Sequence, residues 1–206
     1  MAVDLPGHPH GAALDRLEDL AGALAPAVES LEGPRALVGH SLGGAVALEL
    51  ARGRPTLVDG LVLIASGARL PVPEAVMERV RADPSGERRR LMDGFLADPD
   101  RPIGREVRAA LDDCGDEVLA ADYAACAAAD LRGRLAAVRA PALVIAGGDD
   151  GLTPPWLSEE LARELPMAQM ILVPGARHMP MADADSTVNL LAAAFLARLE
   201  LTLAGL

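Results

Sequence analysis

Positive charge is scarce in this sequence. The chain of 206 residues contains no lysine, and its 19 arginines stand against 30 acidic residues, so the net charge is -11 at pH 7. A protein of this charge repels phosphate backbones and anionic membrane surfaces, and no extended basic run offsets the repulsion. The sequence therefore predicts no nucleic-acid partner and no membrane partner.

Cysteine is equally scarce. The two cysteines, Cys114 and Cys126, are too few for a disulfide framework, and neither lies in a CxxC or Cys/His arrangement with metal-site spacing. We therefore expect two small buried apolar side chains and no metal site.

Targeting signals are also missing. The N-terminus lacks the basic start and apolar run of a signal peptide, and no uninterrupted apolar stretch approaches the roughly 20 residues that span a bilayer. We expect a cytoplasmic protein.

Apolar residues, in contrast, are plentiful. They make up 51% of the chain, enough to bury one core of ordinary size. Short runs that are apolar on both faces are typical of strands in a buried parallel sheet. Four such runs alternate with helical patterns of apolar residues and occupy positions 36–38, 61–65, 142–146 and 170–173. This alternation predicts an α/β fold.

The segment 69–139 breaks the alternation. It carries five prolines before position 103, several charged clusters and no convincing strand pattern. We interpret it as a mostly helical cap or lid inserted into a core made of residues 1–68 and 140–206. Long insertions of this kind commonly cover a functional site.

A GxSxG motif follows the first apolar run and opens a helical pattern. It consists of Gly39, His40, Ser41, Leu42 and Gly43. This context is typical of a nucleophile elbow, in which a strained strand-to-helix turn lifts the serine hydroxyl clear of the sheet. We expect the two glycines to supply the required small size, the histidine to shape the turn, and the Leu42 backbone N–H to be one oxyanion donor.

Serine is a weak nucleophile that needs a histidine base and a carboxylate, in the chain order Ser, acid, His for this elbow. Asp149 and Asp150 follow the third apolar run, and His178 follows the fourth. On chemistry alone, either aspartate could be the acid. The remaining histidines precede or adjoin the serine: His8, His10 and His40.

Several stretches resemble the α/β-hydrolase esterases and lipases. They are DLPGH at residues 4–8, the elbow GHSLGG, residues 61–70, APALVIAGGDDGLTPP and VPGARHMPMAD. The resemblance implies an α/β-hydrolase fold and identifies Asp150, four residues before Pro154, as the acid. Arg177 stands where such proteins usually have glycine and places a cation beside the base.

The resemblance also implies missing elements. In that family the DLPGHG-like segment follows several strands and an HG loop that donates the second oxyanion N–H, whereas here the segment begins at residue 4. We therefore expect an N-terminally truncated chain of about four strands. Strand 36–38 would lie at an exposed sheet edge, which favours pairing with a second copy of the chain.

These residues predict a serine hydrolase that cleaves a small carboxylic ester or a similar acyl substrate through an acyl-enzyme. Ser41 would attack the carbonyl, His178 would take and return the proton, and Asp150 would hold the imidazolium. The small acyl substrate is the expected partner, and no metal or organic cofactor is required. The alternatives are acyl transfer or perhydrolysis by the same fold, or an inactive fragment that acts only as an interaction module.

Overall fold

The protein forms one parallel sheet of four strands in the order β1-β2-β3-β4. The computed structural model describes residues 1–8 and 11–205, so His10 lies outside the described residues. The strands are β1 (Ala36–His40), β2 (Gly60–Ile64), β3 (Ala142–Gly147) and β4 (Ala168–Val173). All neighbouring strands are parallel. The α/β prediction and the number of strands are confirmed.

The two central strands differ from the two outer ones in burial. Every residue of β2 and β3 is buried, whereas β1 and β4 each have one buried residue and are otherwise partly or fully exposed. Val38 in β1 is 59% exposed. β1 lies at one edge of the sheet, as the sequence predicted, and β4 lies at the other. The expectation of burial on both faces is therefore wrong for β4, because a sheet edge leaves part of a strand uncovered.

Alternate residues of β2 enter two apolar clusters on opposite faces, as the period of two in a strand requires. Leu61 and Leu63 join the larger cluster, which α1 and α2 also line, while Val62 and Ile64 join the cluster against α9. The helices of the core are α1 (Leu17–Glu29), α2 (Leu42–Gly53), α7 (Pro155–Glu164), α8 (Pro180–Asp183) and α9 (Asp185–Leu203).

Four helices fill the chain between β2 and β3. They are α3 (Glu74–Ala82), α4 (Pro84–Phe95), α5 (Pro102–Asp113) and α6 (Asp116–Ala128), followed by a short 3-10 turn. Met92 and Leu96 form a third buried cluster with Ala182 of α8, and Phe95 and Met179 pack against it. These contacts attach α4 to the chain that follows β4. The division into a core and a cap stays a prediction.

Helix α9 is long and apolar. It spans 19 residues with a mean hydropathy of 1.3 over its most apolar window, which satisfies the length and composition of a membrane span. Asp185, Arg198 and Glu200 lie within the helix, so it is not an uninterrupted apolar stretch of the kind that the sequence was expected to lack. Buried Val188, Phe195 and Leu199 pack one side of α9 against the sheet, so its composition alone is weak support for a membrane role.

Candidate active site

Ser41 lies at the turn between β1 and α2. Its backbone has φ 52° and ψ -119°, a conformation that a residue with a side chain rarely adopts. The Ser41 N–H donates to the Ile64 carbonyl at 2.9 Å. Backbone strain of this kind persists only where the surroundings hold it, and it is common at functional sites.

The positions of this turn that have no room for a side chain differ in part from those expected from the sequence. A Cβ on Gly39 would lie 2.4 Å from the Gly43 carbonyl oxygen, so no larger residue fits there. A Cβ on Gly43 would meet nothing within 4 Å, so the size expectation is wrong at that position. The second constrained glycine is Gly44, where a Cβ would lie 2.7 Å from the Ser66 side chain.

The structure brings Ser41, His178 and Asp150 into one hydrogen-bonded series at the carboxyl ends of the strands. Ser41 Oγ lies 3.0 Å from His178 Nε2, and His178 Nδ1 lies 2.9 Å from Asp150 Oδ2. His178 and Asp150 are buried, while Ser41 is partly exposed. The imidazole bonds to Asp150, and the contact recorded for Asp149 is between its N–H and the Ala176 carbonyl.

These partners fix the protonation pattern of the imidazole. A carboxylate accepts, so Nδ1 carries the proton and donates to Asp150. Nε2 is then an acceptor for the hydroxyl proton of Ser41. This is the tautomer that a general base requires.

Asp150 is held as a carboxylate by several donors. Its Oδ1 accepts from the N–H groups of Leu152 at 2.8 Å and Thr153 at 2.9 Å, and its Oδ2 lies 2.7 Å from the Thr153 hydroxyl. Burial by itself would raise the pKa of Asp150, but the hydrogen bond and charge of His178 and the bonds from Thr153 outweigh it and hold the pKa below its usual range.

Two hydroxyl groups that sequence reasoning missed brace the site. The buried Thr153 hydroxyl lies 2.9 Å from the Ala65 carbonyl as well as close to Asp150, and Ser66 Oγ donates to the Ser41 carbonyl at 2.9 Å. Both hydroxyl groups lie just beyond strand ends, where α/β sheets place their sites. Their location beyond the strand ends was the only feature of the sequence that could have pointed to Thr153 and Ser66.

His40 packs against the imidazole of His178. Its Nε2 donates to the His178 carbonyl oxygen at 2.8 Å, and the two ring centroids lie 4.7 Å apart. Phe95 of α4 contacts His178 as well, with 5.5 Å between ring centroids. Burial first, and then the neighbouring His178, lower the pKa of His40 to about 4. His40 is therefore a neutral donor at pH 7.

The Arg177 side chain connects the loop that contains His178 to the C-terminal end of α4. Its guanidinium donates to the Asp93 carbonyl at 2.7 Å, with the Leu96 carbonyl at 3.4 Å, and the N–H of Met179 donates to the Phe95 carbonyl at 2.9 Å. The Arg177 guanidinium thus hydrogen-bonds to backbone carbonyls at the C-terminus of α4, where the helix dipole favours positive charge.

Leu42 opens the first turn of α2, directly after Ser41. The first N–H groups of a helix have no acceptor within the helix, so they can stabilise an anion that lies close to the helix N-terminus. The role of the Leu42 N–H as an oxyanion donor stays a prediction.

The chain is similar to several known proteins. The model of the alpha/beta hydrolase family matches residues 1–190. A pimeloyl-[acyl-carrier protein] methyl ester esterase of Neisseria meningitidis serogroup B is 34% identical over 87% of this chain and 75% of its own length. A relative of the same name from Nitrosomonas europaea is 30% identical over 86% of this chain and 77% of its own length.

Solved structures agree with the sequence comparisons. A thermophilic esterase from Thermogutta terrifontis, solved with malate bound, superposes with a TM-score of 0.83 and 28% identity. The match covers 95% of this chain and 78% of that one. The fold and the family match together show that this chain belongs to the alpha/beta hydrolase family.

Proposed function

We propose that this protein hydrolyses small carboxylic esters through an acyl-enzyme on Ser41. Ester hydrolysis is supported by the two relatives described above, which are named as esterases, and by the similarity to a solved esterase. The observation that carries the serine mechanism is the short contact of 3.0 Å between Ser41 Oγ and His178 Nε2, in series with Asp150.

The first half of the reaction forms the acyl-enzyme. Ser41 Oγ attacks the ester carbonyl carbon while its proton passes to His178 Nε2, and the resulting oxyanion faces the Leu42 N–H. The bond between the acyl carbon and the alcohol oxygen then breaks, and the alcohol leaves with the proton from His178. Asp150 stabilises the imidazolium that exists between these two transfers.

The second half returns the enzyme to its starting state. Water attacks the acyl carbon while His178 takes one of its protons. The bond from the acyl carbon to Ser41 Oγ breaks, the serine recovers its proton from His178, and the carboxylic acid is released. No metal or organic cofactor takes part in either half.

The surroundings of the base favour an uncharged substrate group. Phe95 and Met179 flank His178 and continue into the apolar cluster of α4 and α8. An apolar wall of this kind suits the alkyl part of an acyl chain or a small alcohol. Methyl esters of acyl chains, on which the relatives are named as acting, are therefore the first substrates to test.

Labelling with a fluorophosphonate probe tests the nucleophile. We expect one probe per chain on the peptide that contains Ser41, and none on Ser41→Ala. Ser30→Ala is the matched control, because Ser30 is exposed beyond α1 and should leave labelling unchanged. Both variants should retain the circular dichroism spectrum of the original protein.

Two results would contradict the proposal. Labelling that survives Ser41→Ala would identify another nucleophile. A folded protein that takes up no probe and cleaves no short-chain nitrophenyl or methyl ester would favour a non-catalytic role as an interaction module.

A further inference from the structure

A second cluster of chemically versatile side chains contains no residue of the Ser41 site. A ring nitrogen of His8, the sulfur of Cys114 and a carboxylate oxygen of Asp122 all lie within 4.8 Å of one another. His8 precedes α1, Cys114 follows α5, and Asp122 lies in α6. The cluster therefore connects the N-terminal loop with the helices between β2 and β3.

The donor set of this cluster matches one class of metal. Imidazole nitrogen, thiolate sulfur and carboxylate oxygen are the three donors that zinc takes from proteins, usually in a tetrahedron. Magnesium and calcium prefer oxygen alone, so a site with a thiolate and an imidazole disfavours both. Three protein donors leave the fourth zinc position for water.

The hydrogen bonding of the cluster leaves donors unused. His8 Nε2 lies 2.9 Å from Asp122 Oδ2, while the buried Nδ1 of His8 has no partner among the described residues. The Cys114 sulfur makes a weak contact of 3.7 Å with the Gly115 carbonyl and also lies beside the Arg88 guanidinium. A His–Asp pair needs no thiol beside it, whereas a metal site uses the thiol as a ligand.

Zinc binding would require only small changes in the distances among the ligand atoms of His8, Cys114 and Asp122. Ligand atoms around a tetrahedral zinc lie about 3.3 to 3.8 Å apart, as follows from bond lengths of about 2.0 to 2.3 Å. The His8 Nε2 and Asp122 Oδ2 atoms, which lie 2.9 Å apart, would have to open slightly to reach this spacing, and ligand atoms that lie up to 4.8 Å apart would have to approach by about 1 Å. The side chains of His8 and Asp122 remain 33% and 26% exposed, which leaves the ion a path of entry.

We propose that His8, Cys114 and Asp122 bind a zinc ion that fastens the N-terminal loop to α5 and α6. Sequence spacing could not predict this site, because His8 and Cys114 lie 106 positions apart. This site is separate from the Ser41 site, because the hydrogen bonds described for His8 and Cys114 do not reach Ser41, His178 or Asp150.

Cobalt is the most direct probe, since Co²⁺ occupies zinc sites and shows a thiolate charge-transfer band when sulfur is a ligand. We expect metal-free protein to bind one Co²⁺ per chain with such a band, and stoichiometric Zn²⁺ to remove it. Cys114→Ser should abolish the band, and Asp122→Asn should weaken affinity about tenfold or more.

The second cysteine supplies the matched control. Cys126 is free and lies in α6, as Asp122 does, but does not belong to the cluster, so Cys126→Ser should keep the band and the affinity. His178→Ala should also keep both, because it alters only the Ser41 site. Circular dichroism shows whether each variant is folded.

The proposal is overturned if folded, reduced protein binds no Co²⁺ or Zn²⁺, or binds them without a thiolate band. It is equally overturned if the band persists in Cys114→Ser or disappears in a folded Cys126→Ser. Loss of binding in His178→Ala would place the metal at the Ser41 site instead. All these readouts are independent of esterase activity, so they do not depend on the proposed function.

Discussion

Replacing His40 with glutamine should change how the stability of the protein depends on pH. His40 Nε2 donates to the His178 carbonyl at 2.8 Å, and burial together with His178 lowers the pKa of His40 from 6.5 to about 4. Glutamine retains an N–H donor of similar reach but takes up no proton in this range. The substitution therefore removes the titration and keeps the hydrogen bond.

The size and the sign of the effect follow from proton linkage. Between about pH 6.5 and 4 the unfolded chain binds a proton at position 40 and the folded chain does not, so the free energy of unfolding falls as the pH falls. Each unit of pKa difference corresponds to about 1.4 kcal/mol. The original protein should lose about 3 kcal/mol across this window through His40 alone.

Urea unfolding at several pH values between about 7 and 4.5 measures this loss. The difference between the original protein and His40→Gln isolates position 40, because Asp150 and the other titratable groups are common to both. We expect the original protein to lose stability relative to His40→Gln as the pH decreases, so that the two stability curves separate by about 3 kcal/mol at most. Parallel curves would refute the assignment of His40 as a buried neutral donor.

Three further substitutions test the supports of the site. Gly39→Ala should destabilise the protein by more than about 3 kcal/mol in urea, because the new Cβ would lie 2.4 Å from a backbone oxygen. Thr153→Val should lower kcat about tenfold or more with little change in KM, since Asp150 loses a charge-assisted hydrogen bond of about 1.5 to 3 kcal/mol. Arg177→Ala should speed limited proteolysis just after α4, because the Asp93 carbonyl loses the hydrogen bond from the guanidinium and the end of the helix is held less firmly. Unchanged cleavage would show that this hydrogen bond is dispensable.

Local patterns in the sequence predicted the sheet well. The third apolar run, at 142–146, became β3 with one added residue, and the turn at Ser41 has the strain that an elbow requires. Each of these features depends on a few consecutive residues. Apolar runs, glycines and a serine at fixed spacing are therefore sufficient to identify them.

Contacts between distant residues escaped prediction. Thr153 braces Ala65 across 88 positions, and His8 meets Asp122 across 114. No spacing rule links such pairs, because the fold alone brings them together. The size constraint at Gly44 was missed for the same reason, since it arises from Ser66 on a neighbouring loop.

The most direct test of the central claim is to trap the acyl-enzyme itself. The protein is mixed with a slowly hydrolysed nitrophenyl ester and quenched in acid during turnover, and its intact mass and peptides are then measured. The account predicts that the peptide carrying Ser41 gains the mass of one acyl group. The adduct accumulates because water attacks the acyl-enzyme slowly, and it should be absent from Ser41→Ala. Steady ester hydrolysis without any adduct, or an adduct on another residue, would contradict the account.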